Sequence, residues 1–249
     1  MTMEIEQELN VIVKDIATAS SYIVDKGWGE ANAGNLSYNL SDHGEFYDYA
    51  DFAEYPFCLP VVFPHLKNSI LLITVTGSRM KEISEKPYDN FGIIKINSTG
   101  ESYAVIYYRN SSQHFKPSSE FISHLLIHDY LMKNKSDKRA VLHTHPDEII
   151  ALTNLPDFQG EDKLRKHLYR VLPELEILLP RGIGYVPSLN PGCDELGYAT
   201  VQVITEKNVV IWERHGAVAV GKDVISCLDL IEVVNKAARI LLLTQGRCL

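Results

Sequence analysis

Positive charge is in the minority and forms no long run in this 249-residue chain: 24 Lys and Arg stand against 32 Asp and Glu, for a formal net charge of −8. Binding to nucleic acid or another polyanion rests on clustered positive charge, so composition disfavours that role. Long apolar runs are also missing. The richest stretches, 69–75 and 238–243, fall far short of the roughly 20 residues a membrane-spanning helix needs. The four cysteines, Cys58, Cys193, Cys227 and Cys248, form no C-x-x-C pair. Nothing at the N-terminus reads as a signal peptide, so reduced thiols and a cytoplasmic location are expected. Low-complexity tracts and internal repeats are lacking too. What remains, 45% hydrophobic and 22% charged, describes an ordinary globular protein, expected to form one domain over residues 1–249.

Against this plain background one short run stands out, Ala140-Val-Leu-His143-Thr-His145-Pro146. Its apolar start reads as a buried strand. Alternate side chains of a strand share a face, so His143 and His145 point the same way. Pro146 cannot donate to a ladder and ends the run, which puts the pair at a strand end. Two neutral imidazoles there are either the start of a metal site or a pair of partly exposed histidines at a loop entrance.

Other elements frame that run. Apolar residues from Val11 to Ile23 fall at helical spacing, so a helix is expected over residues 4–26 with Gly27 as its stop. The Gly- and Asn-rich stretch 27–35 then leads into an alternating strand. Residues 41–66 read as an aromatic covering loop. A strand over 70–75 ends at Thr76-Gly77-Ser78-Arg79, ahead of a helix expected near 87–92. Residues 91–96 and 102–108 flank a tight Asn97-Ser-Thr-Gly100 loop, the pattern of an antiparallel hairpin. A helix is expected from Lys116 to Met132 with Glu120 in its first turn, where an acid gains from the helix dipole. His124 and His128 share a face of this helix, and their apolar surroundings read as core more than as a metal pair. Beyond the His run come helices over 146–153 and 161–171, a short strand within 173–184, and a helix over 191–206. A buried strand, 209–212, ends at Arg214-His215-Gly216 and returns over 217–221. A long amphipathic helix over 223–244 closes the chain.

His215 therefore arrives at a strand end just as His143 and His145 do. Three histidines plus Glu120 meet the minimum for a catalytic divalent metal with an open coordination position, Zn2+ being the first choice. Neutral imidazoles leave such an ion its full charge to polarise a carbonyl. The turns at 27–35 and 76–79 expose backbone N–H groups and small polar side chains. Such turns either bind a phosphate or serve as plain connections.

Taken in order, 27–36 (GWGEANAGNL), Thr76-Gly77-Ser78, Ser118-Ser119-Glu120, His143-Thr-His145, 191–195 (PGCDE) and His215-Gly216 resemble the motif series of the class II aldolase/adducin family. The resemblance implies a three-layer α/β/α fold around a mostly antiparallel sheet and a homotetramer. It also implies retro-aldol cleavage of a ketose 1-phosphate, L-rhamnulose 1-phosphate first among them, to dihydroxyacetone phosphate and L-lactaldehyde. By the same resemblance His143, His145 and His215 are expected to hold one Zn2+ per subunit, and Glu120 to act as acid/base. Asn32, Asn35, Gly77, Ser78, Ser118 and Ser119 are expected to bind the phosphate or ketose backbone. Glu174 is expected to serve the aldehyde half, from a neighbouring subunit. Arg79 departs from the small residue expected after Ser78. Other readings within the family are a fuculose 1-phosphate aldolase, a ribulose 5-phosphate 4-epimerase and a non-catalytic interaction domain.

Overall fold

A computed structural model of the chain describes residues 6–43, 57–110 and 115–245. Much of the expected covering loop, the first residues of the expected first helix and Cys248 lie outside these. Helix α1 (Asn10–Lys26) buries Ile12, Val13, Ile16, Ala19 and Ile23 along one stripe. It ends where Gly27 takes a left-handed φ of 74° and donates its N–H back to Val24. Val11, although apolar, lies off that stripe and is 73% exposed.

The remaining elements are β1 (Asn35–Asn39), β2 (Phe57–Cys58), β3 (Ile70–Thr74), α2 (Met80–Glu85), β4 (Phe91–Ile96), β5 (Ser102–Tyr108), α3 (Phe121–Lys133) and β6 (Ala140–Thr144). After them come α4 (Asp147–Thr153), α5 (Glu161–Val171), α6 (Leu175–Leu178), β7 (Gly184–Val186), α7 (Asp194–Ile204), β8 (Val209–Trp212), β9 (Gly216–Gly221) and α8 (Val224–Gln245). The strands form one nine-stranded sheet in the order β2-β5-β4-β3-β1-β6-β9-β8-β7. Among the described residues only the β7–β8 pair is parallel.

Alternation along the strands divides the core in two. Ala140 and Leu142 of β6, Val209 and Ile211 of β8, and Ala217 and Ala219 of β9 face one side, with α1, α2, α4, α5 and α8. Val141, Val210, Val218 and Val220 face the other side, under α3 and α7. Helices therefore cover both faces of the sheet, the three-layer arrangement that the family resemblance implies. No helix of the described residues is long and apolar enough to cross a membrane.

Three expected elements differ. The helix after Gly77 is at Met80–Glu85, not 87–92: Met80 and Ile83 are its buried pair, and Pro87 forces Lys86 out of helical backbone and opens only a single 3₁₀ turn. Within 173–184, the apolar run that read as a strand forms α6 instead. Leu175 and Leu179, four apart, are buried, while Ile177 and Leu178 point outward at 80% and 47% exposure. The strand of that region comes later, at Gly184–Val186. Glu120 is not in the first turn of α3 but at its N-cap position, and its side chain makes no cap hydrogen bond.

Candidate metal centre

Four neighbouring interior strands of the sheet bring their ends together at one place. β6 delivers His143, and β1 starts at Asn35, directly opposite His143 in the antiparallel register. β8 ends at Trp212, which pairs with Gly216 at the start of β9. The connection between them is tight: His215 N–H donates to Trp212 O at 3.0 Å, and Arg214 takes a left-handed φ of 58°. This turn swings His215 back over the end of β6.

Close approach here requires glycine. A Cβ on Gly216 would lie 2.4 Å from Thr144 O and 3.2 Å from His143 Cε1. Behind the histidines lies the Trp212 indole, its ring centre 4.5 Å from that of His143 and 5.2 Å from that of His215. The indole N–H is satisfied by Thr200 Oγ1 at 2.8 Å, so this wall is apolar toward the rings. On the other side the 27–34 loop is pinned to the end of β6, because Trp28 O accepts from Thr144 Oγ1 at 2.6 Å and from His145 N at 2.9 Å.

His143, His145 and His215 each offer a ring nitrogen within 4.8 Å of the other two. His143 Nδ1–H donates to Ala217 O at 2.9 Å, which turns its Nε2 lone pair into the centre. His145 Nδ1–H donates to Glu30 Oε1 at 2.8 Å, and its Nε2 lies 3.1 Å from His143 Nε2. An outer hydrogen bond that fixes the tautomer in this way is the usual support of a metal-binding imidazole. His215 keeps a buried Nδ1 without a hydrogen-bond partner. Burial, and secondarily the neighbouring imidazoles, push the pKa of His143 well below the usual range and that of His215 down to about 4. Both rings are thus neutral at pH 7 with lone pairs available, and this donor set fits a divalent cation.

Glu120 completes the group. Its carboxylate is almost wholly buried, with Oε2 3.5 Å from His143 Nε2 and Oε1 3.4 Å from His215 Nε2. Asn35 Nδ2 donates to Oε2 at 2.7 Å, and the Glu120 N–H donates to Ser118 Oγ at 3.3 Å.

The other anticipated residues are spread around this core. Asn35 sits inside it, both polar atoms of its amide engaged, by Glu120 and His124. Ser118 adjoins it, while Asn32 and Ser119 are exposed. Gly77 has a left-handed φ of 79°, and Ser78 Oγ donates to Asn90 O at 3.4 Å. Their turn lines a separate surface cavity together with Lys86, Asn90 and Asn110, and none of the three histidines reaches it. That turn is nonetheless tied to the Glu120 segment, since Thr76 N–H donates to Lys116 O and Val75 bridges to Pro117. Glu174 is exposed at the start of α6 and takes no part in this chain's own centre. Sequence reasoning missed Glu30 and Trp212 as parts of the centre. Glu30 lies inside the conspicuous Gly/Asn run but carries no spacing that marks it, and Trp212 reads only as a buried strand residue.

The family model for the class II aldolase and adducin N-terminal domain matches residues 14–242. A rhamnulose-1-phosphate aldolase of Bacteroides thetaiotaomicron is 34% identical over 232 residues, covering 92% of this chain and 84% of that relative. One from Listeria welshimeri is 30% identical, covering 92% and 81%. Among solved structures, a sugar-phosphate aldolase from Thermotoga maritima superposes with a TM-score of 0.79 at 33% identity, over 97% of both chains. An L-fuculose 1-phosphate aldolase shares the fold at 16% identity, with a TM-score of 0.65 over 96% of this chain and 88% of that one.

Proposed function

This chain belongs to the class II aldolase and adducin family, and from that premise we propose that it cleaves L-rhamnulose 1-phosphate by a Zn2+-dependent retro-aldol reaction. The products are dihydroxyacetone phosphate and L-lactaldehyde. The observation that carries this reading is the convergence of three imidazoles with one buried carboxylate, that of Glu120, at the ends of the central strands. A non-catalytic interaction domain would have no use for that arrangement, in which charge and desolvation are both held in check.

Breaking the C3–C4 bond leaves an electron pair on C3, delocalised onto the C2 oxygen; the C4 hydroxyl gives its proton to a base as C4 becomes the aldehyde, and C3 takes up one proton to complete dihydroxyacetone phosphate. His143, His145 and His215 would hold a divalent metal, which would supply positive charge where that negative charge develops. Glu120 moves a proton at the nascent dihydroxyacetone phosphate; its burial and its Asn35 partner hold the carboxylate in place for this work. The buried Trp212 indole, stacked behind His143 and His215, closes the back of the site and excludes water from that side.

For the phosphate or the ketose backbone we assign Asn32, Asn35, Gly77, Ser78, Ser118 and Ser119. The backbone link between the 76–78 turn and the Lys116–Ser118 segment supports treating them as one surface. Glu174 is assigned to the aldehyde half of a neighbouring subunit's site, within a homotetramer. Its exposure away from its own histidines, beside the outward-facing Ile177 and Leu178, supports that assignment. We read residues 1–249 as one domain in the cytoplasm; the free thiols of Cys58, Cys193 and Cys227 support a reducing compartment.

The test is a coupled triose-phosphate assay of the purified, Zn2+-loaded protein on rhamnulose 1-phosphate, fuculose 1-phosphate and ribulose 5-phosphate, with metal content measured alongside. Triose phosphate from rhamnulose 1-phosphate, fastest of the panel, is the expected result. Its absence overturns the reading, and conversion of ribulose 5-phosphate without triose release would replace it with a 4-epimerase.

A further inference from the structure

Next to the metal centre, on the α3 side of the sheet, lie two histidines the proposed reaction does not use. His124 and His128 are both 1% exposed. Both meet Ser37 of β1, whose Oγ is 2.6 Å from His124 Nδ1 and 2.8 Å from His128 Nε2. The other ring nitrogen of His124, Nε2, lies 2.5 Å from Asn35 Oδ1, and Asn35 Nδ2 donates to Glu120. Asn35 and Ser37 are two apart on one strand and so share the face toward α3.

One arrangement of protons satisfies every contact. The Glu120 carboxylate only accepts, so Asn35 must turn its NH₂ group toward it; the reverse orientation would set amide oxygen against carboxylate oxygen. Asn35 Oδ1 then faces His124 and needs a donor, so the His124 proton is on Nε2. Burial keeps this ring neutral, pushing its pKa down to about 4, and that of His128 to about 3. His124 Nδ1 is therefore an acceptor and takes the Ser37 O–H. Ser37 Oγ in turn accepts from His128 Nε2–H. Every donor in the row points toward Glu120.

We infer that Ser37, His124 and His128 are positioning residues for Glu120, acting through Asn35 to hold its carboxylate in one orientation between His143 and His215. This rests on the assignment of Glu120 to proton transfer. The carboxylate needs such a hold because it does not cap its own helix and its approach to the two imidazoles is loose, at 3.5 and 3.4 Å. A row of buried polar groups orders a site when each member is satisfied, and fails as a unit when one link is lost. Removing the Ser37 hydroxyl or the His124 ring frees the Asn35 amide to turn, and Glu120 loses its one short hydrogen bond.

Ser37→Ala, His124→Phe and His124→Gln holoenzymes, compared with wild type by steady-state kinetics and metal analysis, test this. Ser37→Ala and His124→Phe are expected to lower kcat by about tenfold or more, the kinetic equivalent of about one hydrogen bond. Metal content should be unchanged, and KM should stay within about twofold. His124→Gln, whose amide N–H can still reach Asn35 Oδ1, should recover most of the loss. Unchanged kcat in Ser37→Ala, or equal losses in the Phe and Gln variants, overturns the inference. A second readout is independent of turnover: nitrogen NMR of the histidine-labelled full chain should show both rings neutral and protonated at Nε2 at pH 7. A His124 protonated at Nδ1 overturns it. Failure of the aldolase reading would appear instead as an inactive wild type, with the NMR result still deciding the row of hydrogen bonds.

Discussion

Asn35 stands directly across the β1–β6 ladder from His143, and the Glu120 carboxylate spans the pair, 2.7 Å from the Asn35 amide and 3.5 Å from His143 Nε2. A metal-binding face and a polar interior row are thereby joined through a single carboxylate. Changes on either side should be felt at Glu120.

Glu120→Gln keeps the shape of the side chain and removes its capacity to take a proton. Turnover is expected to fall by about 10²–10⁴-fold, the usual weight of a general acid/base, with metal content unchanged. Steady-state kinetics with metal analysis of the same sample checks both halves; activity near wild type would refute the acid/base assignment.

Glu30→Gln tests the outer support of His145. The Glu30 carboxylate accepts the His145 Nδ1–H at 2.8 Å but is 64% exposed. Metal affinity should therefore weaken by about tenfold, the low end of the roughly 10–100-fold effect of such partners. Competition with a chelator of known affinity measures it. A variant that binds as tightly as wild type would show that His145 needs no carboxylate behind it.

Gly216→Ala and Gly77→Ala separate two reasons for glycine. At Gly216 the new Cβ meets backbone, 2.4 Å from Thr144 O, and stability should drop by about 3 kcal/mol, the upper end of ordinary overpacking, with metal binding impaired. At Gly77 nothing lies within 4 Å and only the left-handed φ of 79° is strained, so the cost should be about 1 kcal/mol. Urea denaturation of both variants provides the comparison, and equal losses would contradict the steric argument.

Acid should destabilise the fold before most carboxylates titrate. His124 and His128 stay neutral in the native state down to about 4 and about 3, whereas in the unfolded chain they protonate near their ordinary value of about 6.5. Between these limits the unfolded state binds protons the native state refuses. Stability is then full above about pH 6.5 and falls as pH drops, by about 1.4 kcal/mol per pH unit for each histidine. In metal-free protein His143 and His215, also depressed, steepen the fall. Urea midpoints at pH 7, 6 and 5 check this, and a flat profile would show that the buried rings are charged or become exposed.

Much of the architecture is legible from local pattern. The hairpin strands β4 and β5 and helix α5 begin and end where periodicity and turn residues say they should. His143 and His145 share a face because a strand alternates, and no tertiary information is needed for that. Legibility failed where apolar residues were counted without knowing which face was covered. Val11, Ile177 and Leu178 look like core residues and point to solvent.

The sequence by itself determined the chemistry on offer: three histidines and an acid, each at the end of a regular element, in an order that resembles one family. Only the tertiary structure decided which of those groups meet. It turned Glu120 off its own helix toward His143 and His215, and enlisted Glu30 behind His145. It also drew His124 and His128, which read as plain core, into a directed row ending on that same carboxylate. The reason is register. Which residue of β1 lies beneath α3 and opposite β6 depends on pairings between segments about a hundred residues apart, long-range contacts that no local pattern encodes.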